Sequence, residues 1–273
     1  LLDLGVDSIT ASIWAGSASV YAAIHPNQSE ATFEQIRDVF QFIAEQKKRF
    51  NRLKPRIVIH DVVFNMNYHD VADMVRFGLQ YGANVIQFVP IDPIEGKMSS
   101  LLLQDSHKCE LLQTLSILRQ RYNPLTMCYI SEAGESIVLT DFDMFIRRIE
   151  HVNTDNGVYD GAVVDQVPCY AGWLFARIMA NGNVVPCCKG HRMPMGNVLT
   201  HRFKDIWLSE KYNTFRRNGL TLAKDHPYFS RMGNAVDKRT GCYNCDNLWQ
   251  NIPMQGTMET LRKYNLNNIG DIA

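Results

Sequence analysis

Four of the seven cysteines in the chain have a spacing that can bring them to one metal centre. Cys242 and Cys245 form a C-x-x-C, a loop in which two thiolates can approach the same metal together. Cys169 and Cys187 flank Gly182, with twelve residues before the glycine and four after it. A hairpin that turns at Gly182 would carry Cys187 back beside Cys169, so that four thiolates meet. Four such ligands suit zinc and an iron–sulfur cluster equally well.

The other cysteines and one histidine are weaker candidates for ligands. Cys109 and Cys128 stand alone in or near predicted core elements, where an unligated cysteine acts as a small apolar side chain. Cys188 is an alternative to Cys187, although only Cys187 has the four-residue spacing from the turn. His191 lies four residues after Cys187 and is a candidate for zinc, but an exposed loop histidine is the commoner case.

The first 121 residues alternate between short apolar strands and amphipathic helices. Successive parallel strands that are joined by helices indicate an α/β sheet or barrel, in which chemistry takes place at the carboxyl ends of the strands. A capping box of Thr32 and Gln35 is expected to start the first helix, and Gly82 to end the second. We predict strands at 7–14, 57–64 and 85–89, and helices at 32–50, 70–81 and 106–121.

After residue 122 the alternation ends and the chain becomes rich in turns. The polar run 153–157 has the composition of a domain boundary. We therefore predict three parts: 1–122, an α/β domain; 123–157, a connecting helix and linker; and 158–273, a small loop-rich α+β domain. The expected elements of the later parts are a helix at 142–150, a hairpin of 173–180 with 184–186, and a helix at 203–217.

Composition and charge exclude several classes of partner. Lys plus Arg number 28 and Asp plus Glu number 28, so no overall positive charge predicts nucleic-acid binding. The longest uncharged stretch, 8–29, is too polar for a membrane helix. Seven cysteines without a preceding signal peptide favour the reducing cytoplasm. Residues 1–5 are similar to the end of an apolar helix, so we expect the chain to begin within a domain.

Motifs in the second half of the chain occur in the same order as in a known family. They resemble the SPASM-type auxiliary-cluster domain of radical SAM enzymes over about ninety residues. The full family pattern has further cysteines after the C-x-x-C, and none follows Cys245. The resemblance therefore implies one auxiliary [4Fe–4S] cluster, with Cys169, Cys187, Cys242 and Cys245 as its ligands. It is carried by Pro168-Cys169, the run 178–188, Met195-Gly196-Asn197-Val198, Phe203-Lys204-Asp205-Ile206-Trp207 and the closing C-x-x-C.

The first half resembles strands four to six of the radical SAM partial barrel, in the runs 5–14, 57–67 and 82–88. This resemblance implies a portion of a partial (β/α)6 TIM-like barrel. Ser12 falls where the family places a small polar residue that contacts S-adenosylmethionine, and Asn67 where an Asn commonly ends the fifth strand. An ordinary strand serine at Ser12 and a helix cap at Asn67 are equally compatible with the sequence.

The resemblance implies a radical SAM oxidoreductase or modifying enzyme that acts on a peptide or a sugar-like small molecule. The full-length parent would also bind S-adenosylmethionine and a second [4Fe–4S] cluster, and would receive electrons from a donor such as a flavodoxin or ferredoxin. Four-cysteine coordination leaves no iron open to substrate, which favours electron transfer at the auxiliary cluster. The C-x-x-x-C-x-x-C of the family is missing from the 273 residues, so we expect this chain alone not to cleave S-adenosylmethionine.

Readings from two other classes remain open. The four thiolates could fold a zinc-binding interaction module. Such a module would be attached to an ordinary α/β barrel enzyme, whose acid–base candidates are Asp92 and Glu95, just after the third predicted strand. Iron with acid-labile sulfide would support the radical SAM interpretation, whereas zinc without sulfide would support the module.

Overall fold

The chain forms two compact units in a computed structural model that describes residues 4–94, 97–233 and 241–263. The first unit comprises residues 1–93 and 98–157, and the second comprises 94–97 and 158–273. None of the helices in the described ranges has the length and apolar character that crossing a membrane requires.

The first unit is built on a six-stranded sheet in the order β1-β2-β3-β6-β5-β4. The strands β1, β2, β3 and β6 are parallel neighbours, while β4 and β5 form an antiparallel extension. Its elements are β1 (Ser8–Ala11), α1 (Ala18–Ile24), α2 (Glu30–Arg49), β2 (Arg56–Val63), α3 (Val71–Gln80), β3 (Val85–Pro90), α4 (Asp105–Arg119), β4 (Tyr122–Asn123), β5 (Cys128–Ile130), β6 (Ser136–Thr140) and α5 (Phe142–His151).

The apolar pattern of the sequence explains this architecture. Every second residue of β2 is buried, and α4 and α5 each bury one stripe of apolar residues. These faces join in a single core cluster that includes Ile59, Ile86, Leu115 and Phe145. The α/β class and the parallel sheet that the sequence predicts are thus confirmed.

Several boundaries in the first unit differ from the predicted ones. The strand expected at 7–14 is only Ser8–Ala11, and α1 was not predicted. Helix α2 begins earlier, because Ser29 and Thr32 form its capping box in place of Thr32 and Gln35. Residues 123–157 are not a linker: β6 lies parallel to β3, and the buried face of α5 joins the same core.

The second unit consists of short elements around a smaller core. The expected hairpin turns at Gly182, whose φ of +80° is the left-handed conformation that glycine adopts readily. The helix expected at 203–217 is divided, because Ser209 caps a new helix by accepting a hydrogen bond from the Tyr212 N–H. The elements are α6 (Gly161–Val164), α7 (Ala171–Leu174), β7 (Arg177–Ile178), β8 (Asn183–Val185), β9 (Gly196–Asn197), α8 (Phe203–Trp207), α9 (Glu210–Thr221) and α10 (Leu248–Lys263).

Candidate metal centre

The four cysteines singled out by their spacing line one cavity in the second unit. Cys169 precedes α7, Cys187 follows β8, and Cys242 and Cys245 belong to the loop that leads into α10. The cavity has a volume of about 500 Å3 when the space open to solvent is included. The hairpin and the C-x-x-C loop therefore bring together residues that are up to 76 positions apart in the sequence.

The surroundings of three of the four thiols raise their pKa and so favour the protonated form. Burial raises the pKa of Cys187 well above its ordinary value, and the neighbouring Cys242, Cys169 and Cys245 raise it further. Burial, together with Cys169 and Cys242, likewise raises the pKa of Cys245 well above the usual range. Burial also raises the pKa of Cys169. A bound cation would reverse this preference, so loading a metal must release protons and is favoured by higher pH.

The C-x-x-C loop is fixed by a buried carboxylate and a buried amide. Asp160, only 1% exposed, accepts a hydrogen bond from the Cys245 N–H at 3.0 Å, and its own N–H donates to the Tyr243 carbonyl at 2.9 Å. Asn244 accepts from the Tyr159 N–H at 3.0 Å. The loop thus has a defined conformation through contacts with the segment that leads into α6.

Two asparagines at the beginning of α10 hold the loops of the other two cysteines. Asn251 accepts a hydrogen bond from the Tyr170 N–H, directly after Cys169, at 2.9 Å. Asn247 accepts from the Cys188 N–H, directly after Cys187, at 3.4 Å. Both side chains are buried; Asn247 directly precedes α10, and Asn251 lies in its first turn. The sequence reading did not identify them; the only available signal was their spacing, directly after Cys245.

A glycine on α9 allows the Cys169 loop to approach the helix. The Cys169 N–H donates to the Gly219 carbonyl at 2.8 Å. A Cβ atom at Gly219 would lie 2.8 Å from the Cys169 carbonyl oxygen and 3.3 Å from the Cys169 Cβ. Any larger residue at this position would push the loop, and with it one of the four thiols, away from α9.

The donor set and the walls of the cavity fit an iron–sulfur cluster. Four thiols face the cavity, and most of the remaining lining is apolar, from residues such as Val164, Phe215 and Leu248. Two buried lysines, Lys189 and Lys224, also line it. Among the described residues, no three His, Cys, Asp or Glu side chains are grouped closely enough to hold a single metal ion.

The remaining sequence candidates lie elsewhere. Cys188 is half-buried and outside the cavity lining, with Asp246, Arg177 and Lys189 as its charged neighbours. His191 is exposed in a short 3-10 turn. In the first unit, Cys128 lies on β5, and Cys109 is exposed on α4 instead of contributing to the core, as the sequence reading assumed. The structure thus assigns Cys187, and not Cys188, to the cavity.

In the first unit, Ser12 and Asn67 both follow the carboxyl ends of parallel strands. Ser12 is exposed directly after β1, and Asn67 is fully buried four residues after β2. Because β1 and β2 are parallel neighbours, both residues lie beyond the same edge of the sheet. The Asn67 amide donates to the carbonyls of Trp14 at 2.8 Å and Val62 at 2.9 Å. Its N–H groups are therefore used in joining the two strand ends, and a cofactor contact at either residue stays a prediction.

Two buried carboxylates complete this support for the loop after β1. Asp61 accepts from the Trp14 N–H at 2.7 Å, and Asp70 accepts from the N–H groups of Gly16 at 2.6 Å and Ser17 at 3.1 Å. Burial raises the pKa of Asp61 to about 7, and the charge of Asp70 adds to the effect. The sequence reading missed both residues, although an acidic residue inside the apolar strand β2 is an available signal.

Of the two acid–base candidates in the alternative interpretation, the structure describes one. Asp92 lies two residues after β3, at the carboxyl edge of the sheet. Glu95 lies outside the described residues.

Comparison with known families identifies the second unit. Residues 169–246 match the SPASM family, which is described as an iron–sulfur cluster-binding domain. This part of the second unit is therefore similar to a SPASM domain, as the sequence resemblance predicts. All four cavity cysteines lie within the matched residues. No curated protein is similar enough in sequence to be matched.

Three solved structures show distant similarity to the chain. SuiB of Streptococcus suis bound to S-adenosylmethionine is 12% identical, with a TM-score of 0.48 over 76% of this chain and 44% of that one. Native anSMEcpe with bound AdoMet and the Cp18Cys peptide is 15% identical, with a TM-score of 0.41 over 83% and 61%. BtrN in complex with AdoMet and 2-DOIA is 16% identical, with a TM-score of 0.27 over 77% and 67%. The chain thus spans less than half the length of SuiB.

Proposed function

We propose that the chain is the cluster-binding part of a radical SAM enzyme, in which Cys169, Cys187, Cys242 and Cys245 hold one auxiliary [4Fe–4S] cluster. The first unit is then part of the partial barrel in which the parent enzyme binds S-adenosylmethionine. The proposal rests above all on the four thiols that line one cavity within residues matching an iron–sulfur domain.

When bound, the auxiliary cluster would supply a one-electron redox centre. The residues of this chain bind it, exclude water from it and keep all four thiolates in place. Asp160 fixes the C-x-x-C loop, while Asn247 and Asn251 fix the loops of the other two ligands. With four cysteine ligands no coordination position remains for the substrate, so the role that we assign to the site is electron transfer.

For the first unit we propose binding of S-adenosylmethionine at the carboxyl edge of the parallel sheet. Ser12 is exposed at this edge and offers a hydroxyl to the cofactor. Asn67 acts as a positioning residue, because its side chain ties the loop that carries Trp14 to the end of β2. The C-x-x-x-C-x-x-C that would anchor the cofactor to a cluster does not occur in the 273 residues.

The substrate class that we propose is a peptide or a sugar-like small molecule. The anSMEcpe structure contains a peptide, and the BtrN structure contains 2-DOIA, which supports either kind of substrate. A small electron-transfer protein of the flavodoxin or ferredoxin type would supply the electrons, and a reducing compartment such as the cytoplasm would keep the thiols available.

Anaerobic reconstitution of the full 273-residue chain tests the proposal. Purified protein is incubated with iron and sulfide and desalted, and its iron, acid-labile sulfide and zinc are then measured. We expect about four iron and four sulfide per chain, together with an EPR signal after reduction by dithionite. Zinc without sulfide would overturn the proposal and identify a zinc-binding interaction module instead.

Cysteine variants make the assignment specific. C169S, C187S, C242S and C245S should each lose most of the bound iron, because a hydroxyl is a poor replacement for a thiolate ligand. C188S is the matched control, since Cys188 adjoins Cys187 but lies outside the cavity lining. A loss of iron in C188S equal to that in C187S would contradict the assignment.

A further inference from the structure

Lys224 is a buried cation at the wall of the four-thiol cavity. Its side chain is 7% exposed and lies three residues after the end of α9. Burying an ammonium group is costly unless the group is paired or fully hydrogen-bonded. The groups around Lys224 should therefore show how far the protein itself compensates this charge.

The protein groups around Lys224 compensate its positive charge poorly. Its ammonium donates to the carbonyls of Gly219 at 3.4 Å and Leu222 at 3.5 Å, which are long for hydrogen bonds, and lies 5.8 Å from the centre of the Phe229 ring. Among the residues that the structure describes, no carboxylate lies within ion-pair distance of it. One of its three N–H groups has no acceptor in this set.

The other lysine of the cavity differs on this point. Lys189 is similarly buried, but its ammonium lies 3.4 Å from the carboxylate of Asp246. The charge of Lys189 is thus largely balanced within the protein. Lys224 is the cation whose charge remains available to an anion in the cavity.

The geometry connects Lys224 directly to one of the four thiols. The Gly219 carbonyl accepts hydrogen bonds from both the Lys224 ammonium and the Cys169 N–H, so the two donors converge on the same oxygen. The cation and this ligand loop therefore occupy one corner of the cavity.

We infer that Lys224 is the buried counter-charge of the cluster and that it raises the reduction potential of the cluster; this inference rests on the function proposed above. An iron–sulfur cluster with four thiolates is doubly negative when oxidised and triply negative when reduced. A nearby buried cation stabilises both states, and the reduced state more, because its charge is larger. Lys224 thus acts through electrostatics and contributes no ligand.

A potentiometric titration of the reconstituted full chain, followed by EPR, tests the inference. In K224M the ratio of reduced to oxidised cluster at a fixed potential should fall about tenfold, which corresponds to a midpoint about 59 mV lower for a one-electron couple. K224R, which keeps the charge, and K211M, which removes an exposed lysine of α9, should stay within about twofold of the unmodified chain. A K224M ratio within the same twofold range would overturn the inference.

Stability measurements separate a counter-charge from a merely structural lysine. Without the cluster, K224M should be as stable as the unmodified chain or more stable, because a poorly compensated cation has been removed. With the cluster, K224M should be less stable. Equal destabilisation of both forms would show that Lys224 only supports the end of α9, and would overturn the inference.

If K224M does not take up the cluster, its potential cannot be measured, and iron analysis of the variants decides instead. Loss of the cluster in K224M with recovery in K224R supports the counter-charge, whereas loss in both variants overturns it. Failure of the unmodified chain to take up iron and sulfide would instead refute the proposed function. The two claims therefore fail by different observations.

Discussion

The two units of the chain reach a defined structure by different means. Among the described residues of the first unit, twenty-five buried apolar side chains form one continuous cluster that covers the parallel sheet. In the second, the main cluster in the described residues has ten members, and one of these is Cys187. Its loops are held by backbone N–H groups that donate hydrogen bonds to buried polar side chains such as Asp160 and Asn251. From this difference we predict that the stability of the second unit depends on a bound cluster, whereas that of the first unit does not.

The largest expected effect is loss of the cluster through C187S. Because metal binding contributes directly to folding free energy, we expect the loaded second unit to lose about 5 kcal/mol or more. Hydrogen exchange should become much faster in α7, α9 and the start of α10 while the amides of β2 and β3 are unchanged. C188S serves as the control. Equal acceleration in both units would show that the proposed independence of the first unit is wrong.

The second prediction concerns the pH dependence of the first unit. Burial raises the pKa of Asp61 to about 7, above the unfolded value of about 3.9, so its contribution to stability is present at low pH and lost as pH rises through 7. The D61N variant removes this titration. Its free energy of unfolding, relative to that of the unmodified chain, should therefore rise by about 4 kcal/mol as the pH increases from 4 to 7.

Hydrogen exchange of the β2 amides, measured across this pH range after correction for the intrinsic rate, reports the effect. D38N on the exposed side of α2 is the control, and its pH profile should match that of the unmodified chain. Parallel profiles for D61N and the unmodified chain would contradict the assignment. Amides of the second unit should not respond to D61N.

A third, smaller effect is expected from G16A. A Cβ atom at Gly16 would lie 2.1 Å from the backbone C of Asp73 and the N of Met74, at the start of α3. Since backbone atoms cannot move as easily as a side chain, we expect a loss of about 3 kcal/mol in the first unit. G256A is a matched control on α10, where no atom lies within 4 Å of the added methyl group. Urea unfolding monitored by hydrogen exchange distinguishes the two units.

The smallest predicted effect tests the polar supports of the second unit. N251A leaves the buried Tyr170 N–H without its acceptor, which should cost about 1–3 kcal/mol. We also expect faster loss of iron to a chelator, since the Cys169 loop is loosened. T257A, an exposed substitution on the same helix, should change neither property. Unchanged iron release in N251A would show that apolar packing alone holds this loop.

The success of sequence reasoning differs between the units for physical reasons. In the first unit, β2, β3 and α5 were predicted nearly to the residue because each buries a long periodic stripe. The strand β6 was missed, since five residues without a following turn signal carry little pattern. In β1 the strand is cut short by the bonds of Asp61 and Asn67 to Trp14, which no local pattern reveals.

In the second unit the cysteines were predictable and their supports were not. Thiols at metal-binding spacing are distinctive in any sequence, and the structure places all four at one cavity. An asparagine gives no comparable signal, because its role depends on which backbone group the fold brings to it. The fold brings α9 and α10 beside the ligand loops, and only this placement reveals the roles of Asn247, Asn251 and Lys224.

The position of the two asparagines at the start of α10 also sets the order in which the site can be assembled during synthesis. Cys169 leaves the ribosome 76 residues before Cys245, which is roughly 4–15 s at ordinary rates of translation. Throughout this interval the early thiols lack both the C-x-x-C loop and the helix that holds their own loops. A nascent chain can therefore offer only partial sites, and the cluster can be completed only after α10 has been made.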